Sequence, residues 1–118
     1  MEIWVNPACS KCRAATAALD EAGVAYTVRR YLEEPPTRGE LVAVLERLGL
    51  EPWDVTRTGE PSAARVADLP RTPEAREDWL AALVADPRLL QRPIITADDG
   101  TTVVGRDPES LARVLPPG

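Results

Sequence analysis

The order of elements in roughly the first thirty residues leaves few folds open. Ile3-Trp4-Val5 is an apolar run stopped by Asn6-Pro7 and reads as a strand. Ser10 to Ala22 is built from good helix formers, and the spacing predicts a buried face of Ala14, Ala15, Ala18, Leu19 and Ala22. Gly23 ends that helix, because glycine adopts the left-handed conformation of a C-terminal cap without a Cβ penalty. Tyr26-Thr27-Val28 alternates apolar and polar residues and reads as a second strand. Strand, helix and strand in so short a span form a βαβ unit, whose two strands must lie parallel.

The remaining elements complete the topology. Thr37 can cap a helix, with Glu40 as its capping-box partner, and Leu41, Val42, Leu45 and Leu48 supply an apolar stripe ended by Gly49. Thr72-Pro73 opens a further helix whose expected buried face is Trp79, Leu80, Leu83 and Val84. Ile94-Ile95-Thr96 and Thr102-Val103-Val104 are strands joined by Asp98-Asp99-Gly100, a hairpin turn. Asp107-Pro108 starts a last helix carrying Leu111 and Val114 or Leu115. Pro35-Pro36, Pro70 to Pro73 and Pro116-Pro117 read as turns and a tail. A βαβ half followed by a ββα half is a thioredoxin-like α/β arrangement. The expectation is one domain over 1–118, with a four-stranded mixed sheet and a helical insertion at about 37–86.

Composition removes whole classes of chemistry. The chain of 118 residues has no histidine, which excludes Ser-His-Asp and Cys-His catalysis and histidine-ligated metals. Its two cysteines cannot by themselves close a structural zinc site, and no metal is expected. A net charge of −5 argues against a bare nucleic-acid-binding module. No apolar run is long enough to span a bilayer and no signal peptide is visible, so a cytoplasmic location is expected. Monomer is the expected state. Of the 14 basic residues only Lys11 is lysine, and arginine makes up the rest, so one arginine alone says little.

Cys9-Ser10-Lys11-Cys12 falls between the first strand and the first helix. The first turn of a helix carries unpaired N–H groups and the positive end of the helix dipole, which stabilise a thiolate. Cys9 is therefore expected to have a depressed pKa, with Lys11 and Arg13 adding positive charge. Cys12 lies one turn deeper, at a spacing from which two sulfurs reach disulfide distance. The pattern reads as an attacking thiol with a resolving thiol behind it. Small buried hydrophobes would be the other reading of two cysteines. Trp4 and Trp79 are expected to fill a core that contains no phenylalanine, and Trp53 is assigned to it as well.

Asn6-Pro7-Ala8-Cys9-Ser10-Lys11-Cys12-Arg13 resembles the active-site loop of the arsenate reductase family. Tyr31-Leu32-Glu33-Glu34-Pro35-Pro36-Thr37-Arg38 resembles its Y-L-x-x-P-P-S/T-R segment, and Arg57-Thr58-Gly59-Glu60-Pro61 its R-x-x-E-P. Leu90-Gln91-Arg92-Pro93-Ile94 matches its L-x-R-P-I, and Gly105-Arg106 resembles its late arginine. The motifs lie in register across nearly the whole chain. The resemblance implies a nucleophile at Cys9 and an oxyanion grip from Arg57, Arg92 and Arg106. It implies supporting roles for Asn6, Ser10, Lys11, Arg13 and Pro93, with Pro93 as a cis-proline facing the cysteine. Guanidinium forks suit a tetrahedral oxyanion because they grip its oxygens in pairs.

The implied activity is a thiol-dependent reduction needing no metal or organic cofactor. The thiolate attacks the oxyanion, Cys12 or an external thiol resolves the adduct, and glutathione with glutaredoxin, or thioredoxin, restores the enzyme. Two positions depart from the glutaredoxin-coupled pattern H-N-P-x-C-x-x-S. Val5 replaces its histidine and Cys12 its serine, so the helix tip, Lys11 and Arg13 are left to depress the Cys9 pKa. The CxxC is shared with a sister group, the Spx-like redox regulators. These bind the RNA polymerase α subunit and use the disulfide as a switch. Asn6-Pro7, Leu32 to Arg38 and Arg57 to Pro61 look closer to the reductases.

Overall fold

A computed structural model describes residues 1–115; Pro116-Pro117, read above as a tail, lies outside them. The chain forms two compact units, one of Met1–Glu34 with the segment from Arg92 onward, the other Pro35–Gln91.

The first unit holds the sheet. Strands β1 (Glu2–Val5), β2 (Thr27–Arg30), β3 (Ile94–Thr96) and β4 (Thr102–Val104) lie in the order β2-β1-β3-β4. β1 pairs parallel with β2 and antiparallel with β3, and β3 pairs antiparallel with β4, so the sheet is mixed as expected. Helix α1 (Ser10–Glu21) is the βαβ crossover, and the short α4 (Pro108–Ala112) follows β4 with Asp107 as its N-cap. Ile3 and Val5 alternate onto the sheet face that packs with Cys12, Ala15 and Leu19 of α1 and with Ile95, Val103 and Val114.

Two local expectations shift. Ala14 and Ala22 are exposed, and the buried stripe of α1 is Cys12, Ala15 and Leu19. Cys12 itself is a core residue, so a stripe drawn through alanines alone is rotated off the true face. Strand β2 also runs two residues further than Tyr26-Thr27-Val28, to Arg30. It is an edge strand with little burial, so its polarity follows solvent rather than a core. Tyr26 precedes it and donates its hydroxyl to Asp20 at 2.7 Å. Trp4, on the opposite face from Ile3 and Val5, is buried beneath the Arg29 guanidinium, 5.4 Å from the ring centre.

The second unit contains α2 (Arg38–Leu48) and α3 (Arg76–Ala85), with four short 3₁₀ turns at Pro52–Val55, Pro61–Arg65, Pro73–Ala75 and Pro87–Leu89. All four open on proline, which suits a first helical position because it has no N–H to satisfy. The Thr37–Glu40 capping box forms as read from the sequence, and Gly49 closes α2 at φ 69°. The buried residues of α2 are Leu41, Val44 and Leu45 rather than Val42 and Leu48. Trp79, Leu80 and Leu83 of α3 are buried, whereas Val84 is half-buried. Trp79 meets Trp53 edge-on at 6.2 Å, and Trp53 is only half-buried. This unit is wider than the expected 37–86 block. The turn at Pro87–Leu89 and an antiparallel bridge between Thr56 and Leu90 keep the chain in it up to Gln91. No helix among the described residues is long and apolar enough to cross a membrane.

Candidate active site

The sheet topology brings the chemistry to one end of the first unit. β1 and β2 are parallel, so Asn6 and Tyr31, which follow them, emerge at the same end. β3 runs the other way and starts there, directly after Arg92-Pro93; β4 ends there, directly before Gly105-Arg106. The Cys9 loop, Tyr31, Arg92 and Arg106 thus share one end of the sheet although they are distant in sequence.

Asn6 shapes the loop. Its side-chain oxygen accepts from the Ala8 N–H at 3.0 Å, and its carbonyl accepts from the Cys9 N–H at 2.9 Å. Its own N–H donates to the Cys12 sulfur at 3.4 Å. These bonds seat Cys9 at the N-cap of α1 with extended backbone (φ −85°, ψ 125°). An N-cap side chain is where the first-turn amides converge. Ser10 is the first residue of the helix and is exposed.

The two thiols are free and differ in kind. Cys9 is half-buried and Cys12 fully buried. Burial alone pushes the Cys9 thiol up, but this is outweighed by the Cys12 N–H, the Arg92 guanidinium and the Lys11 N–H, so its pKa falls from 9.0 to about 7. Burial also dominates at Cys12, and with Cys9 beside it the pKa rises to about 11, against the lowering effect of the Asn6 N–H. A shallow groove of about 210 Å³ opens beside Cys12, with Arg13 and Arg30 among its lining residues.

The cation acting on Cys9 is not one of those expected. Lys11 and Arg13 are exposed; Lys11 contributes its backbone N–H, and the charge comes from Arg92. Arg106 supports Arg92 through its backbone, with Nη1 donating to the Arg92 carbonyl at 2.9 Å. Pro93 is buried and its peptide bond with Arg92 is cis. Arg57 belongs to the second unit, where its guanidinium is ion-paired with Glu60 at 3.1 Å. Tyr31 was not singled out for chemistry. It is 1% exposed, and it interacts electrostatically with Arg92. The only sequence hint is a polar-tipped aromatic directly after a strand.

Thiolate chemistry makes these differences measurable. Iodoacetamide reacts with the thiolate, so Cys9 should be alkylated with a half-maximal rate near pH 7. The rate should drop about tenfold for each pH unit below that, as the sulfur takes up its proton. Cys12 should stay unmodified in the folded protein at the same pH values. Peptide mass spectrometry after brief alkylation checks both; a Cys9 midpoint near pH 9 would show that the helix tip and Arg92 do not act on it.

The model of the ArsC family matches residues 4–114. The chain is 57% identical over 117 residues to a protein from the glnII region of Streptomyces viridochromogenes, covering 98% of both. It is 37% identical over 116 residues to an arsenate reductase of Neisseria meningitidis serogroup A, covering 98% of this chain and 97% of that one. An arsenate reductase structure from Vibrio cholerae superposes with a TM-score of 0.83 at 33% identity, covering 98% of each chain. A sheet that gathers the CxxC, Arg92 and Arg106 at one end therefore has its relatives among arsenate reductases, and the chain belongs to the ArsC family.

Proposed function

We propose that this protein is a thiol-dependent reductase of arsenate. The observation that carries the reading is the Cys9 sulfur at the tip of α1, ionised near neutral pH with the Arg92 guanidinium against it. Such a site offers a nucleophile, first-turn amides and a fork-shaped cation to a tetrahedral oxyanion. In this reading Arg106, which lies at the same end of the sheet, joins that grip. The motif resemblance assigns the same duty to Arg57.

In the proposed reaction the Cys9 thiolate attacks arsenic and a water leaves, giving a thiol–arsenate adduct with arsenic still at +5. A second thiol then attacks the Cys9 sulfur. The S–As bond breaks, its electron pair stays on arsenic, and arsenite leaves at +3. The two electrons come from the two sulfurs, which end as a disulfide. The resolving thiol is Cys12, which the Cys9 sulfur already neighbours, or an external thiol such as glutathione. Resolution by Cys12 requires its proton to leave as it attacks, because burial keeps it a thiol at neutral pH. Thiols of a glutaredoxin or thioredoxin then reduce the disulfide.

Arsenite formation from arsenate by the purified protein tests the reading. Glutathione with glutaredoxin, and separately thioredoxin with its reductase, are supplied as reductants. Turnover is expected with one of them. If Cys12→Ser abolishes turnover, Cys12 resolves; if it leaves turnover intact, the external thiol does. No arsenite with either donor would overturn the proposal and turn attention to a redox switch, measured as disulfide-dependent binding to the C-terminal domain of the RNA polymerase α subunit.

A further inference from the structure

We propose that the reduced Cys9–Cys12 pair is a capture site for trivalent arsenic, binding arsenous acid through two As–S bonds. The ligand is the product of the reaction proposed above, so the biological sense of the site rests on that reading. The binding itself rests on the two thiols and needs no turnover.

Both cysteines are free, and they occupy the N-cap and the third position of the same helical turn. Asn6 ties them together. Its carbonyl accepts from the Cys9 N–H at 2.9 Å, and its N–H donates to the Cys12 sulfur at 3.4 Å. The CxxC spacing at the first turn of a helix lets two sulfurs reach bonding distance. A bridging arsenic atom demands less, because it spans a longer gap than an S–S bond. The donor set then selects the ligand. The chain has no histidine, and no group of three or more cysteine, aspartate or glutamate side chains among the described residues could hold a metal ion. Structural zinc takes four protein donors and catalytic zinc three, so two sulfurs suffice for neither. Trivalent arsenic is soft and pyramidal, and two thiolates with one hydroxyl satisfy it. The serine that the glutaredoxin-coupled pattern places at the position of Cys12 would leave only one sulfur.

Arsenous acid is small and uncharged near neutral pH. The half-buried Cys9 sulfur meets it first. A sulfur–arsenic bond forms, an arsenic–oxygen bond breaks, and the hydroxide takes a proton and leaves as water. The Cys12 thiol then displaces a second hydroxide, which takes the proton of that thiol and also leaves as water. Two thiols and arsenous acid thus give the bridged complex, with one hydroxyl left on arsenic, and two waters. Arsenic stays trivalent throughout, so no oxidant or reductant is consumed. Cys12 is 1% exposed, but the arsenic is delivered to it by Cys9 and not from solution. The second bond is intramolecular, which favours the pair over either sulfur alone. Captured arsenic blocks the nucleophile, so arsenite inhibits the reductase once reductant has restored the dithiol.

The test uses the full chain reduced with a phosphine, because thiol reductants would themselves bind arsenic. Arsenite is added without arsenate, and native mass spectrometry and the rate of Cys9 alkylation by iodoacetamide are read. One arsenic should bind per chain and slow the alkylation of Cys9. Cys9→Ser and Cys12→Ser should each weaken binding by about a hundredfold or more, since one sulfur remains. Thermal melts establish that both variants are folded. The wild type oxidised to its Cys9–Cys12 disulfide, a control that needs no substitution, should bind no arsenic. Added dithiothreitol should strip the arsenic and restore alkylation. Absence of an adduct on the reduced wild type at millimolar arsenite overturns the proposal. So does an adduct of equal affinity on Cys12→Ser, which would mean that Cys9 binds alone. Arsenate turnover is no part of these readouts. A protein that binds arsenite but reduces no arsenate refutes the reductase reading only, and one that reduces arsenate without binding arsenite refutes the capture site only.

Discussion

Cys9→Ser should lower arsenate turnover by more than about a thousandfold while leaving the fold and the anion grip in place. A serine hydroxyl differs from a thiol by one atom, but it is not ionised near neutral pH and cannot form the disulfide that releases arsenite. The α1 amides and Arg92 would still face the position. Competition of arsenate or phosphate for the Cys9→Ser protein should accordingly be retained, whereas Arg92→Met should weaken it. Steady-state arsenite production paired with calorimetric anion binding checks both halves. Residual turnover within tenfold of wild type would move the nucleophile to Cys12 and discard the assignment of roles made here. The buried, proton-holding state of Cys12 argues against that outcome.

Trp79→Ala should be the most destabilising single substitution among those considered. Trp79 is 3% exposed, sits in the middle of α3, meets Trp53 edge-on and donates Nε1–H to the Pro70 carbonyl at 2.9 Å. It also walls a cavity of about 370 Å³ within the second unit, lined in part by Ala63, Val66 and Leu69. Truncation would widen that half-open pocket and let water reach the space the ring fills. Deleting a buried tryptophan costs about 3–5 kcal/mol, a large part of the 5–15 kcal/mol typical of a whole domain. The melting temperature should fall by on the order of 10 °C or more. Trp79→Phe should cost less, since it keeps a ring and loses mainly the bond to Pro70. If Trp79→Ala melts within a degree or two of the wild type, the helical unit does not depend on this packing. Alkylation of Cys9 in the same samples shows whether the sheet end is affected separately.

Much of the fold follows from local rules that a sequence displays directly. Asn6-Pro7 and Gly23 bound the first strand and helix, Thr37 and Glu40 form their capping box, and Gly100 takes the positive φ of the hairpin turn at 91°. These features act within a few residues, so neighbouring side chains suffice to specify them. The misplacements arose where burial, not propensity, decides. β2 is an exposed edge whose residues need no apolar alternation, and the stripe of α1 turns on a cysteine that packs as a core residue. The 3₁₀ turns of the second unit are too short to leave a periodic pattern.

The candidate site divides the same way. The sequence by itself determined that a CxxC would occupy the tip of a helix in a βαβ unit, that no histidine could assist it, and that arginines would have to serve any oxyanion. It did not determine which cation would reach the sulfur. Lys11 and Arg13 are neighbours along the chain, yet exposed helix positions point their side chains into water. Arg92 acts on Cys9 because β3 runs antiparallel to β1 and begins where β1 ends. Tyr31 reaches the same end because β2 runs parallel to β1 and ends there too. Strand direction and order are properties of the closed sheet, and they alone turn three remote segments into one charged environment.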